Sequence, residues 1–560
     1  MLLFQKKVKS IVSFSIVLLL SIVFLSQPHL TAYASNEMPG YENPQDIIIA
    51  SPKNNYTTTG SKVSILGACD YEYPLYMNGE EIETSGYGFF TVYVELEVGK
   101  NEFVFENNEV INTLTIIRNK VSTSSGNNST SGGNTTPKVT YKEYQNDVYG
   151  VITSDYAMPR SKVSESNVNL MPLTLGTTSR ILGENGSYYK LADGTYVSKS
   201  SIKRYDKTLE PNKVTKASMS KDTAANQLVI ELTMNVNSLY SVSFEGQNIY
   251  LKLYDTIAAA KPITKGNGII EKVTVNTDSK NKTKTYCFTM FDSASIYGYD
   301  VNFKNGVMRF ELKLPVILKD TKSLVGATIL LDAGHGDYDN GTVGAMGVYG
   351  PVEKDINLNI TLYTKQYLEA LGAKVVLIRE DDTFYSLSNR VETIRKVKPD
   401  ISVSIHGNSL DYASDYSKAS GFLTYYSYNL FGNLPNVMNN SITSELELKK
   451  RDPRQSSLSL TRLTTCPSVL LETSFLSNPY DYEYLIQSEN QKEFGIAIGK
   501  AIQGYLQGIA KQNDQVYVVK KGDTLASIAS KHGITIKRLA EYNRIEDINY
   551  IIVGQKILIP

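Results

Sequence analysis

Apolar residues recur at every second position through residues 40–119, at Val92, Val94 and Leu96, then Phe103 and Phe105, then Leu114 and Ile116. Side chains of a strand alternate between its faces, so this period predicts half-buried strands. Asn78-Gly79 falls between two such runs and predicts a tight hairpin, because both turn residues must accept positive φ. Alternation returns from residue 207 to 319, at Leu228, Ile230 and Leu232 and at Ile249, Leu251 and Leu253, with a second Asn-Gly turn at Asn305-Gly306. Between these stretches, Ser122–Thr136 holds only Ser, Thr, Gly and Asn and predicts a flexible linker.

The pattern changes at Ala327. Ile329-Leu330-Leu331 is a continuous apolar run, as in a strand covered on both faces, and it ends in Asp332-Ala333-Gly334-His335-Gly336. From Glu353, apolar Ile356, Ile360, Tyr363, Tyr367 and Leu371 return at spacings of three and four, which predicts a helix closed by Gly372. Strand and helix then alternate. Residues 374–378 read as a strand, Leu387, Val391 and Ile394 as one helix face, 401–405 as a strand before His406, 422–426 as another, and 468–471 as a strand before Glu472. Such alternation predicts an α/β domain from about Ala327 onward, a mostly parallel sheet flanked by helices. Ligands of these sheets gather beyond the carboxyl ends of the strands. His335, His406 and Glu472 all fall there.

At the amino end, Lys6, Lys7 and Lys9 precede an apolar run from Ile11 to Leu25, and Ala32-Tyr33-Ala34 offers small residues for cleavage. Residues 1–34 therefore read as a secretory signal peptide. The run is shorter than the roughly 20 residues of a membrane span, with retention as an uncleaved anchor as the alternative. Fifty-seven basic side chains balance 57 acidic ones, which excludes the cationic footprint of a nucleic-acid binder. Cys69, Cys287 and Cys466 are too few and too scattered for a disulfide scaffold and read as buried small apolar residues. The histidines are His29, in the signal segment, His335, His406 and His532. A histidine-dependent site has few places to form.

Two imidazoles and a carboxylate, with a fourth position for water, are a familiar ligand set for hydrolytic zinc. Glu353, at a helix start, is the candidate third ligand. Glu472 is the candidate general base, taking a proton from water and passing it to a leaving amine. From residue types alone a second reading stays open, histidines hydrogen-bonded in loops, since no short metal motif such as H-E-x-x-H is present.

Four segments sharpen the choice: Leu331-Asp332-Ala333-Gly334-His335-Gly336, Glu353-Lys354-Asp355-Ile356-Asn357-Leu358, Ser404-Ile405-His406-Gly407-Asn408, and Val469-Leu470-Leu471-Glu472-Thr473-Ser474-Phe475-Leu476-Ser477-Asn478. In this order they resemble the zinc-dependent N-acetylmuramoyl-L-alanine amidases across about residues 324–510. The resemblance implies Zn2+ held by His335, Glu353 and His406, with Glu472 catalytic. It also implies the reaction, hydrolysis of the amide between the lactyl group of N-acetylmuramic acid and L-alanine of the peptidoglycan stem. Arg390 matches an arginine often seen in that pattern and reads as structural, while Ile394-Arg395 stands where many members have Ala-Asn. Asp332 and Asn408 read as turn residues or residues that orient ligands. Some relatives carry a helical insertion that plugs the site. Here 409–420 is a short polar loop, which predicts an open one.

A second resemblance lies at the carboxyl end. Tyr517-Val518-Val519-Lys520-Lys521-Gly522-Asp523-Thr524-Leu525, Ile528-Ala529, Leu539, Asn543 and Val553-Gly554-Gln555-Lys556-Ile557-Leu558-Ile559-Pro560 look like a LysM module, a small βααβ fold capped at Thr524 or Asp523. In that family the groove binds N-acetylglucosamine-containing glycan, which maps to Gly522, Asp523, Thr524, Asn549, Tyr550, Ile551 and Ile552. His532 reads as a surface residue there. The remaining modules read as an Ig-like β-sandwich (40–119), a Ser/Gly/Asn/Thr linker (120–138), a small SH3-like barrel (139–206) similar to those appended to secreted wall enzymes, and an AMIN-like or wall-targeting β-rich domain (207–319). LysM spans 515–560. The expected protein is a secreted, cell wall-associated hydrolase whose partner is peptidoglycan, with no nucleic acid and no stable membrane association after signal removal. The competing expectations are a catalytically inactive wall-binding or adhesion protein and a zinc peptidase acting within the stem peptide or cross-link.

Overall fold

The computed structural model describes residues 43–120, 141–164, 170–262, 269–291, 294–320, 322–431, 433–512, 515–543, 545 and 547–559. The signal-peptide reading of 1–34, with His29, and the linker from residue 121 lie outside the described residues.

Residues 43–119 form a three-stranded and a five-stranded sheet around one apolar core that includes Val63, Ile65, Phe90, Phe105 and Ile116. The Asn78-Gly79 turn joins strands Leu75–Met77 and Glu80–Ile82 with φ of 53° and 84°. The described residues of 141–206 form a six-stranded sheet over Ile152, Ile181, Leu191 and Val197. Residues 212–313 place a five-stranded against a four-stranded sheet over Leu228, Leu251, Phe288 and Phe310. Cys69 and Cys466 are buried, but Cys287 is only half-buried, against expectation. Its neighbours Tyr286 and Phe288 face the core, so the pleat turns Cys287 outward.

The α/β body carries a six-stranded sheet in the order Lys374–Leu377, Thr328–Ala333, Ile401–Asn408, Ser468–Phe475, Leu423–Tyr426, Arg454–Gln455. The first four run parallel, and Leu423–Tyr426 runs antiparallel to Ser468–Phe475. Ile329, Leu330 and Leu331 are all 0% exposed, because the sheet is covered on both faces. Ile329 and Leu331 meet Ile356 and Ile360 of helix Glu353–Ala370 and Ile498 of helix Ser488–Gln512. Leu330 meets Ile394 of helix Leu387–Val397 on the other side. Leu387 does not join that face. It is 59% exposed, since the buried stripe of its helix starts a turn later, at Arg390 and Ile394.

Two strands run further than the apolar pattern predicts, so His406 and Glu472 sit within strands rather than after them. Beyond Glu472 the residues are polar yet buried, and hydrogen bonds make that possible. Thr473 Oγ1 donates to His406 O at 3.0 Å and Ser474 Oγ to Asp481 Oδ2 at 2.5 Å.

All three β modules pack against this body. Leu66, Ala68 and Phe89 belong to the same apolar cluster as Ile329, Leu331 and Tyr482. Tyr156 OH accepts from Thr464 N at 2.9 Å, Tyr299 N donates to Thr464 O at 2.6 Å, and buried Lys313 donates from Nζ to Lys398 O at 2.8 Å. At the carboxyl end, strands Gln515–Val518 and Lys556–Ile559 pair antiparallel, with helices Leu525–Lys531 and Ile536–Asn543 between them in the chain. Thr524, rather than Asp523, caps the first helix, its Oγ1 accepting from Ser527 N at 3.0 Å. Among the described residues no helix is long and apolar enough to cross a membrane.

Candidate metal centre

In-register pairing of parallel strands sets His406 opposite Glu472. Facing residues of neighbouring strands leave the sheet on one side, with backbones about 4.8 Å apart. The adjacent strand, Thr328–Ala333, ends at the same edge and hands over to Gly334 and His335. His335 has a φ of 64°, a left-handed backbone that costs a non-glycine residue about 1–2 kcal/mol. Two buried arginines hold this corner. Arg390 donates from Nη1 to Asp332 Oδ1 at 2.5 Å and to Ala333 O at 2.8 Å, and from Nη2 to His335 O at 2.7 Å. Arg379 donates to Ala333 O at 3.0 Å, Gly334 O at 2.9 Å and Lys354 O at 2.7 Å, tying the corner to the start of the Glu353 helix.

Glu353 opens that helix, 3% exposed, and points its carboxylate between the two histidines. Its Oε1 lies 3.0 Å from His335 Nε2 and 3.0 Å from His406 Nδ1. The three ligand atoms lie within 4.8 Å of one another, a possible metal-binding group among the described residues. Gly407 N at 3.1 Å and Asn357 Nδ2 at 3.3 Å donate to Oε1, and Thr342 N donates to Oε2 at 2.8 Å. Backbone crowds the cluster so closely that two neighbours must be glycine. A Cβ at Gly334 would come within 2.3 Å of the His406 ring, and one at Gly341 within 2.5 Å of Glu353 Oε2.

The electrostatics divide the two carboxylates. Burial pushes the Glu353 carboxyl up, yet hydrogen bonds and charge from both histidines hold it well below the usual carboxylate range. Burial by itself would lower the histidines, but Glu353 overrides it. His335 is raised to about 9, with Asp339 adding to the rise, and His406 is raised as well. Glu472 behaves oppositely: burial dominates, the pull of His406 is smaller, and its carboxyl is pushed up to about 7. Its Oε2 is closed off from solvent with no hydrogen-bond partner. A carboxyl poised near neutrality beside a cluster of metal-type ligands is placed to accept and release a proton.

Asp332 and Asn408 do not touch the cluster. Asp332 acts through Arg390 and Ser404, whose Oγ donates to Asp332 Oδ2 at 2.6 Å, and Asn408 accepts from Ser409 N at 2.8 Å in the following turn. Two contributors escape the sequence pattern. Asp339 Oδ1 lies 2.9 Å from His335 Nδ1, an ion-pair contact without hydrogen-bond alignment; its signal is only a carboxylate four residues after a histidine. Arg379 has no local signal, since its partners are distant in sequence.

The predicted glycan residues lie in the carboxyl-terminal module. Gly522, Thr524 and Asn549 are exposed, as are Tyr550 at 68% and Ile552 at 58%, whereas Ile551 packs against the module's core. Asp523 is held by Tyr517 OH at 2.7 Å and Lys520 N at 2.8 Å. His532 ends the first helix half-buried, edge-on to Tyr517.

Comparison with known proteins follows the same division. Residues 329–504 match the family described as N-acetylmuramoyl-L-alanine amidase, and residues 517–560 match the LysM domain. The chain is 34% identical over 165 residues to N-acetylmuramoyl-L-alanine amidase LytC of Bacillus subtilis (strain 168), a match covering 30% of this chain and only 32% of that one. It is 32% identical over 198 residues to the uncharacterized protein YqiI of the same organism, covering 35% of this chain and 92% of that one. Among solved structures, the catalytic domain of CwlV, an N-acetylmuramoyl-L-alanine amidase from Bacillus (Paenibacillus) polymyxa var. colistinus, is 34% identical, with 32% of this chain and 98% of that one covered and a TM-score of 0.30.

Proposed function

Because the chain belongs to the N-acetylmuramoyl-L-alanine amidase family, we propose that it cleaves peptidoglycan at the amide between the lactyl group of N-acetylmuramic acid and L-alanine of the stem peptide. The observation that carries this reading is the convergence of His335, Glu353 and His406 beside the unpartnered Oε2 of Glu472. Two imidazoles and one carboxylate are the donor set of hydrolytic zinc, and the cluster fits Zn2+. Zinc held there supplies an acidified water and a polarised scissile carbonyl.

The chain's own residues do the rest. Glu472 removes the proton of the attacking water and returns it to the L-alanine nitrogen as the C–N bond breaks, and a carboxyl titrating near 7 suits both transfers. Asp339 places negative charge 2.9 Å from His335 Nδ1, and Arg379 and Arg390 hold the backbone corner that presents His335. The LysM module, through Gly522, Asp523, Thr524 and Asn549–Ile552, keeps a secreted enzyme on the wall by raising its local concentration near substrate bonds. In this reading the chain is divided as 40–119, 139–206, 207–319, 324–510 and 515–560.

The test uses the full chain on purified peptidoglycan with mass spectrometry of the products. The expected cut leaves an intact lactyl carboxylate and frees the L-alanine amino group, is abolished by chelation and is restored by zinc. Full activity after chelation would refute the metal assignment. Fragments cut within the stem or cross-link would make the protein a peptidase, and no release from the zinc-loaded chain would leave a wall-binding protein.

A further inference from the structure

The sheet of the amino-terminal module reaches a segment that starts at the metal centre. Strand Ile48–Ser51 pairs with residues 66–68 of strand Lys62–Ala68 and goes no further along it. Ser64, one of the residues left open on that side, takes a different neighbour. Ser64 N donates to Tyr412 O at 2.8 Å, Tyr93 OH to Ala413 O at 2.7 Å, and Ser64 Oγ to Ser414 O at 2.7 Å. Three consecutive carbonyls of one segment are thus satisfied by one module. Ser64 Oγ also accepts from Tyr416 N at 3.2 Å, and the Tyr412 ring stands edge-on to Tyr56 at 5.3 Å.

The segment is not remote from the chemistry. It begins directly after the strand carrying His406, and Ser409 Oγ lies 3.1 Å from Thr342 Oγ1, while Thr342 N donates to Glu353. Its far end is anchored by Tyr416, 2% exposed, whose carbonyl accepts from Asn478 Nδ2 at 3.2 Å. Between these anchors, Asp411, Tyr412 and Ala413 are exposed. Ser64 is fully buried, so a hydroxyl there serves the segment and not solvent.

We propose that Ser64 and Tyr93 are positioning residues of the hydrolase, which hold 411–414 as one wall of the groove that receives the peptidoglycan strand. The inference rests on the zinc-amidase reading of the His335–Glu353–His406 cluster. It makes residues 43–119 part of the catalytic unit, a role that the Ig-like reading of the sequence does not assign them. A wall that shifts by an ångström misplaces the scissile amide, a displacement that can reduce the rate of an enzyme up to about 100-fold.

The experiment compares full-length Ser64→Ala and Tyr93→Phe with the wild type. Tyr93 is 36% exposed and its replacement removes only a hydroxyl, so this variant folds even if Ser64→Ala does not. The readouts are kcat and KM on peptidoglycan, zinc affinity by chelator competition, and amide hydrogen exchange. Expected are a KM raised about tenfold in Ser64→Ala, a smaller rise in Tyr93→Phe, and faster exchange confined to 411–416. Zinc affinity should stay within about twofold, since neither residue touches a ligand. Equal KM and kcat in Tyr93→Phe and the wild type, or a fall in zinc affinity that accounts for the lost activity, would overturn the proposal. A zinc-loaded wild type that releases nothing sinks the amidase reading and this inference together, whereas parity of the variants with an active wild type sinks the inference alone.

Discussion

Replacing Glu472 by Gln separates what the side chain does in the reaction from what it does to the fold. A carboxyl whose folded-state pKa lies above its unfolded value favours folding fully only below the unfolded value, and that contribution is lost as pH rises through the folded one. For Glu472 the window runs from 4.5 to about 7. The climb, at about 1.4 kcal/mol per pH unit, comes to about 3 kcal/mol by which the ionised side chain burdens the metal-free fold at pH 8.5. Gln has the same shape, cannot ionise, and meets the same unpartnered surroundings at Oε2. The chelator-treated variant should therefore gain up to about 3 kcal/mol over the wild type between pH 4.5 and pH 8.5, read as a widening gap in urea-unfolding midpoints. Activity moves the other way: loss of a general acid–base group lowers kcat by about 100- to 10,000-fold. Zinc affinity should change little, because Glu472 is outside the trio of converging ligands. A stability gap that does not vary with pH, or a variant keeping a tenth of wild-type kcat, would refute this account.

Other perturbations test the surrounding structure. Metal binding must displace protons from His335, raised to about 9 without an ion, so zinc affinity should climb by up to about tenfold per pH unit from pH 7 toward 9, with proton release seen by calorimetry in buffers of different ionisation enthalpy; a flat profile would contradict the raised value. Asp339→Ala should weaken zinc binding by about 10- to 100-fold without altering the fold, measured by chelator competition. Arg390→Met leaves buried Asp332 without its cation and should destabilise the α/β body by about 3–5 kcal/mol, seen as an earlier denaturation midpoint.

Sequence and structure agree most closely where physics is local. The run Ile329-Leu330-Leu331, the helical spacing after Glu353 and the Gly372 stop, with its φ of 84°, all depend on near neighbours and are read directly. The continuation of the Glu472 strand is hidden because Thr473 and Ser474 look like loop residues; only distant partners, His406 O and Asp481, let them be buried. Arg379 is hidden for the same reason, since its carbonyl partners at Ala333 and Gly334 are brought near only by the assembled sheet. Nor could alternation reveal what the β modules do. It marks Val94 and Phe105 as core residues of the first module, but says nothing about Leu66 and Phe89, which share a core with Leu331 and Tyr482.

The rung that joins His406 to Glu472 has a consequence for how such a site can vary. Its length is a property of peptide hydrogen bonding, about 4.8 Å in any sheet, and no side-chain substitution in the surrounding loops alters it. Half of the constellation is therefore printed on a ruler, while His335 and Glu353 arrive from a bent corner and a helix start that neighbouring segments can nudge. Divergence in those segments can change how His335 and Glu353 are presented, and the backbone spacing between Glu472 and His406 stays fixed throughout.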